Sequence, residues 1–205
     1  MKERPIRIGV SGPTGAGKTT LVGALADRLE IPIIEESMRP IYQAQGAFRQ
    51  LSAPGEEQRR ALGAWMKSYF DWCDARAHAY VRNRSFVADR WELDAFGYWL
   101  QAFSQYEPVE QTRRLHRLFL DRALAFDVVV VLPTGTFEVA DHNEAGLKRL
   151  QNYSGRLLTQ MNFTGLLHQL PSAIARYAPL EIEPVEKRVD DIVHIVRRLQ
   201  KTPAG

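Results

Sequence analysis

A three-layer α/β fold around a five-stranded parallel sheet is what this 205-residue chain predicts, on three observations. Short apolar runs alternate with longer helical patterns along the whole sequence, the order a parallel sheet requires. Val128 to Leu132 is an unbroken aliphatic run, as expected of a strand covered on both faces. A glycine-rich stretch, Ser11 to Gly17, lies between the first apolar run and the first helical pattern, where a strand would turn sharply into a helix.

The elements follow in order. Ile6 to Val10 is the first strand, and Thr19 to Leu29 a helix whose Leu21, Leu25 and Leu29 share one face. Pro32 to Ile34 is a second short strand, ending at Glu35-Glu36. Ile41 to Gly55 carries little pattern, and Ala53-Pro54-Gly55 is a turn. Glu56 to Asn83 is a long helix with one broad apolar face, running from Leu62 and Trp65 through Tyr69, Phe70 and Cys73 to Tyr80 and Val81. That stripe reads as core packing, and Cys73 within it as a buried, inert thiol. Ser85 to Ala88 is a third strand ending at Asp89-Arg90. Helices are expected over Glu92 to Phe103 and Val109 to Phe126, the second carrying Arg113, Arg114, His116, Arg117 and Arg122. After the valine-rich strand a polar segment, Thr134 to Gly155, leads into a helix from Arg156 to Gln169. Pro179 to Ile182 is a last strand, and Val185 to Leu199 a closing amphipathic helix.

Composition excludes several alternatives. With 45% hydrophobic and 25% charged residues the chain is neither disordered nor fibrous. Cys73 is the only cysteine, which rules out an internal disulfide framework and a multi-cysteine metal site. No run of about 18 apolar residues occurs, and the start, MKERPIRIG, is too polar for a signal peptide; a cytoplasmic protein without membrane contact is expected. The formal charge of +3 is too mild to argue for nucleic acid by itself. Neither a linker nor an internal repeat divides the chain, so one domain is expected over residues 1–205.

Gly12-Pro13-Thr14-Gly15-Ala16-Gly17-Lys18-Thr19 fits G-x-x-x-x-G-K-[ST] without a mismatch. Glycines let successive backbone N–H groups point inward around a phosphate, and the helix that follows adds the positive end of its dipole. Lys18 reaches the β- and γ-phosphates, and the Thr19 hydroxyl is a Mg²⁺ ligand. Gly12, Thr14, Gly15, Ala16, Gly17, Lys18, Thr19 and Thr20 are therefore the expected nucleoside-triphosphate contacts. A parallel sheet would set the third strand beside this loop, where Asp89 can complete the Mg²⁺ shell and Arg90 meet a phosphoryl group or an anionic substrate. An N-K-x-D string, which a switch GTPase would need for guanine, does not occur.

The motifs GPTGAGKTT, IIEESMRP and VADRWELDAFGYWL, in that order, resemble those of small P-loop nucleoside and nucleotide kinases. The string D-R-W-x-x-D-A-x-x-Y is similar to the D-R motif of thymidylate and deoxynucleoside kinases, and to that of the P-loop ATPase family related to ribosylnicotinamide kinase. The C-terminal order, from DVVVVLP to VEKRVDDIVHIV, resembles the latter family as well. The resemblance covers nearly the whole chain and implies a P-loop NTPase fold with a helical lid over about 134–156 and an acceptor region over about 35–82. It implies ATP and Mg²⁺, with a carboxylate after the second strand, Glu35 or Glu36 and preferentially Glu35, acting on the acceptor hydroxyl. Glu36, Arg39 and Asp94 become acceptor contacts, and Lys148, Arg149 and Arg156 the lid cations, with Arg156 joining Lys18, Glu35 and Arg90 in the catalytic set. The lid string DHNEAGLKRLQNYSGR is sparser in arginine than is usual for such kinases.

The function this implies is ATP-dependent phosphoryl transfer to a small nucleoside- or nucleotide-type acceptor. Two alternatives stay open: a kinase acting on DNA ends or a hydroxymethylated base, with the Arg113–Arg117 patch as its DNA contact, and a regulatory NTP-binding ATPase. The breadth of the long helix would suit a homodimer face. Under every reading Lys18→Ala is expected to abolish ATP turnover and weaken triphosphate binding at least tenfold, as checked by equilibrium dialysis with labelled ATP (roughly the loss of one charge-assisted contact set).

Overall fold

Residues 4–135 and 153–201 are described by the computed structural model of the chain. Side-chain parity along the strands decides its layers. Ile8 and Val10 of β1 (Arg7–Ser11), Val87 of β3 (Phe86–Asp89), and Val128 and Val130 of β4 (Val128–Val131) pack on one face of the sheet. Phe86, Ala88, Val129 and Val131 point to the other. With β2 (Ile33–Ile34) and β5 (Ala175–Tyr177) they form one sheet in the order β2-β3-β1-β4-β5, every pair parallel. The first face is covered by α1 (Lys18–Leu29), through Leu21, Val22 and Leu25, and by α7 (Val185–Lys201), through Val189, Ile192, Val193 and Val196. The second is covered by α3 (Glu56–Arg82), α4 (Glu92–Phe103), α5 (Val109–Ala123) and α6 (Tyr153–Leu167). This is the three-layer fold and five-stranded parallel sheet that the sequence predicts. Among the described residues no helix is long and apolar enough to cross a membrane.

Two elements differ from the sequence reading. The patternless stretch after Arg39 is helix α2 (Arg39–Arg49), packed on α3. Only Ile41 and Phe48, seven residues apart, are buried on it, too few to show a period, and Pro40 looks like a breaker. In the first turn, however, proline gives up no intrahelical hydrogen bond and presets the helical φ. The last strand is Ala175–Tyr177, not Pro179 to Ile182. Leu180 and Ile182 alternate as a strand would but are exposed, whereas Ala175, Arg176 and Tyr177 fall in register with Val128, Val129 and Val130. An edge strand buries too little to announce itself. The long helix keeps its aromatic core role, with Trp65, Tyr69, Phe70, Trp72 and Cys73 buried. Val81, counted in the same stripe, faces solvent. Its apolar side chains pack within the chain, against α2, α4 and the sheet.

One contact sets the spacing of the helices on the second face. A Cβ on Gly97 of α4 would stand 2.3 Å from Cε1 of Phe163 on α6, a fully buried ring. Gly→Ala in a helix usually gains about 1 kcal/mol, while overpacking a rigid core costs roughly 1–3 kcal/mol. The clash is expected to win, so Gly97→Ala should lower the thermal midpoint by several degrees (about 2–4 °C per kcal/mol at this size). An unchanged or raised midpoint would show that α4 and α6 separate freely.

Candidate active site

The turn out of β1 is built on backbone that L-residues avoid: Gly12, Gly15 and Gly17 have φ of 151°, 78° and 81°. Gly12 also passes so close to Leu132 that a Cβ there would stand 3.1 Å from that residue's carbonyl oxygen. The left-handed Gly17 opens directly into α1, whose first turn holds no acidic residue to answer the positive end of its dipole. That leaves the charge for an external anion, the arrangement that binds phosphate. Lys18 folds over the loop, its ammonium donating to the Pro13 carbonyl at 2.7 Å. Arg188, from the first turns of α7, reaches the underside of the loop and donates to the Ala16 carbonyl at 3.4 Å. Thr14 is half-buried, and Thr19 and Thr20 are exposed on the mouth of the loop.

β1 and β3 are neighbours with Val10 opposite Asp89, so the loop and the end of β3 meet. Thr19 Oγ1 donates to Asp89 Oδ2 at 2.8 Å. The other carboxylate oxygen, Oδ1, is buried and has no hydrogen-bond partner among the described residues. A hydroxyl and a carboxylate at this distance, with one acceptor unspent, fit a Mg²⁺ ion that takes its remaining oxygens from phosphates and water. Among the described residues no group of three or more His, Cys, Asp or Glu forms a separate all-protein metal site.

Beside this pair lies a buried charge cluster. Arg90 takes a left-handed φ of 63°, rare for a residue with a side chain, and its N–H donates to the Val10 carbonyl at 2.9 Å. Its guanidinium pairs with Glu36 at 3.1 Å and donates to Asp94 Oδ1 at 2.8 Å and to the Tyr98 hydroxyl at 3.2 Å. Asp94 also accepts from Ser11 Oγ at 2.5 Å and from the Trp91 backbone N–H at 3.3 Å. Burial raises its carboxyl above the usual range, with Arg90 and Lys18 opposing. Asp94, expected to touch the acceptor, is fully buried and instead holds Arg90 against β1.

The carboxylate that enters the cluster from the end of β2 is Glu36. Glu35 is exposed, and its backbone carbonyl is what the interior uses, accepting from Arg76 at 2.7 Å. Arg39 is exposed at the start of α2. Arg156 is buried in the first turn of α6, with its carbonyl accepting from Thr134 Oγ1 at 3.0 Å. Lys148, Arg149 and most of the expected lid lie outside the described residues. In the basic patch, Arg114 sits 4.3 Å over the Phe70 ring, while His116 stacks on Phe96 and bonds Gln169. Burial raises the Cys73 thiol well above its ordinary value, in keeping with an inert core cysteine. Arg76 and Arg188 escaped the sequence reading. Arg188 leaves no sequence signal, because the loop it touches is 172 residues away. Arg76 does leave one: Tyr69, Cys73, Arg76 and Tyr80 follow one another at four-, three- and four-residue spacing, so a charge stands in the buried register of α3.

Residues 7–165 match the family described as an AAA domain, over more than three quarters of the chain. The chain belongs to the AAA domain family. Solved structures share its fold at low sequence identity. Deoxyadenosine kinase from M. mycoides with bound dCTP superposes with a TM-score of 0.66 at 15% identity, over 94% of this chain and 100% of that one. Thymidylate kinase from Candida albicans gives 0.60 at 14% identity, over 97% and 94%. NadR protein in complex with NR gives 0.57 at 18% identity, over 98% of this chain and 52% of that one.

In this AAA domain burial, and then the neighbouring Arg90, pull the Lys18 ammonium down to about 7. Triphosphate oxygens would draw that proton back. Nucleotide binding is therefore expected to take up part of a proton just above neutral pH, and affinity to fall as pH rises through that range. Titration calorimetry in two buffers of different ionisation enthalpy reads the uptake. Equal observed heats in the two buffers would mean that no proton is taken up and that Lys18 is fully protonated before binding.

Proposed function

We propose that the chain is an ATP-dependent kinase that transfers the γ-phosphoryl group to a hydroxyl or phosphate of a small nucleoside- or nucleotide-type acceptor. The observation that carries this reading is the contact of two half-sites. The Thr19–Asp89 pair at 2.8 Å lies at the mouth of the phosphate loop, and the Arg90–Glu36 ion pair at 3.1 Å extends from it toward β2. A hydrolase needs only the first. A guanidinium held between the phosphate loop and a half-exposed carboxylate suits an enzyme that must also place an acceptor.

The roles follow from position. Loop N–H groups and Lys18 would hold the donor triphosphate, and Thr19 and Asp89 would hold Mg²⁺, which would supply charge neutralisation for the phosphates. Glu36 accepts the acceptor's proton as its oxygen bonds to the γ-phosphorus and the bond to the bridging β–γ oxygen breaks. Arg90, charged at any working pH and fixed by Asp94 and Tyr98, faces the oxygens of the group in transit. Arg156 and the lid cations would close over the phosphates and exclude water. That the similar folds include a deoxyadenosine kinase with bound dCTP and a NadR protein in complex with NR supports an acceptor of this chemical class.

A panel of nucleosides, nucleoside monophosphates and nicotinamide riboside, assayed with γ-labelled ATP, tests the reading. At least one is expected to gain label and to raise ADP release well above the acceptor-free rate. ATP turnover that no acceptor accelerates would instead identify an NTP-binding ATPase. Glu36→Gln should lower kcat by roughly 10²–10⁴-fold with ATP affinity kept, and more than Glu35→Gln does. The reverse ranking would return the proton-accepting role to Glu35.

A further inference from the structure

Beyond the residues that face donor and acceptor, the structure assigns a positioning role to a buried guanidinium behind them: we propose that Arg76 sets the geometry of both carboxylate arms of the site, Asp89 and Glu36, by holding the ends of β2 and β3. Deepening the kinase reading in this way rests on that reading for its catalytic arm, though not for its metal-binding arm.

β2 pairs with β3 over two positions only, Ile33 with Val87 and Ile34 with Ala88. Beyond them the strands diverge, and the backbone carbonyls of Glu35, Asp89 and Arg90 have no ladder to join. Orphaned carbonyls inside a protein are rare because each forfeits its hydration without return. One side chain answers all three. Arg76 donates through Nη1 to the Glu35 carbonyl at 2.7 Å and through Nη2 to the Asp89 carbonyl at 3.2 Å and to the Arg90 carbonyl. Its remaining edge, Nε, donates to the Tyr80 hydroxyl at 3.3 Å, and that hydroxyl donates to Glu92 Oε2 at 3.0 Å. The guanidinium also lies 4.8 Å from the Trp72 ring centroid. Only 2% of Arg76 is exposed, so it lies behind the surface of the site.

The fork closes on a residue in left-handed backbone. Arg90 holds its left-handed φ with its N–H bonded to β1 and its carbonyl bonded to Arg76. A non-glycine residue stays in that region only when its surroundings over-determine it. The same fork grips Asp89, whose carboxylate belongs to the Thr19 pair, and the peptide immediately before Glu36. A planar fork fixed by ring contacts is suited to this; an ammonium also has three donors, but they radiate from a single point on a flexible stem and do not fix the two strand ends at a set separation.

The test is Arg76→Lys, which keeps the charge and removes the fork, with Tyr80→Phe as a second variant. A fluorescent ATP analogue is titrated with Mg²⁺ so that the arm through Asp89 is read without turnover. Arg76→Lys is expected to raise the Mg²⁺ concentration for half-maximal binding about tenfold, to leave nucleotide binding in EDTA unchanged, and to lower kcat about a hundredfold, the effect of a small misplacement of reacting groups. A merely structural role would lower the melting temperature and the active fraction but not the Mg²⁺ half-saturation of the folded molecules. A folded Arg76→Lys chain with wild-type Mg²⁺ half-saturation overturns the proposal. If Arg76→Lys does not fold, Tyr80→Phe decides: a smaller shift in the same direction supports the proposal, and a wild-type value overturns it. Should the wild type transfer phosphate to no acceptor, the kinase reading fails while the Mg²⁺ arm is still read.

Discussion

Charge buried without a partner is the costliest thing a fold can contain, and this chain buries four charged side chains together: Lys18, Asp89, Arg90 and Asp94 are each at most 6% exposed. Much of the site can be understood as the means of making that tolerable. Asp94 and Glu36 face Arg90, Ser11 spends its hydroxyl on Asp94, Thr19 spends its own on Asp89, and Lys18 turns onto the Pro13 carbonyl. Replacing such a network by apolar residues would be neutral or stabilising in many proteins, so its retention points to chemistry rather than to stability. What the network provides is a set of buried charged side chains held in fixed positions beside the phosphate loop.

The sheet delivers these groups to one place. Because β3 lies between β2 and β1, the ends of three strands distant in sequence stand side by side, one carrying the phosphate loop, one the Asp89-Arg90 pair and one the Glu35-Glu36 pair. Open parallel sheets bind ligands beyond the carboxyl ends of their strands for this reason. The second requirement is that the strand ends diverge, since paired strands leave no crevice. Divergence frees backbone carbonyls, and the buried arginine on α3 accepts that burden. The interior cation is thus a consequence of the two-residue pairing of β2.

Legibility in the sequence followed the amount of apolar surface each element buries. The valine run of β4, the leucine spacing of α1 and the aromatic stripe of α3 are deeply buried, and each was readable as an element of the right kind. The sparsely anchored α2 was not, and β5 was misplaced by a few residues because its half-exposed residues look no more strand-like than the exposed Leu180 and Ile182. At the site the same rule operated in reverse. Residues with a fixed spacing to the glycine loop or to the D-R string could be named in advance. The Glu35-Glu36 pair could be named, but the preference for Glu35 within it had no support in the chain's pattern, because adjacent residues differ in direction and only the end of β2 settles which one turns inward.

By itself the sequence determined the layered α/β fold, the phosphate loop, and the nucleotide binding that loop implies. These depend on local backbone conformation and on hydrophobic period, both of which are written in consecutive residues. Tertiary structure alone decided that Asp94 braces Arg90, that Glu36 and not Glu35 meets it, and that Arg76 and Arg188 reach the site from α3 and α7. Those contacts depend on where strands stop pairing and on which helix lies behind them, and neither is a property of any short stretch of chain.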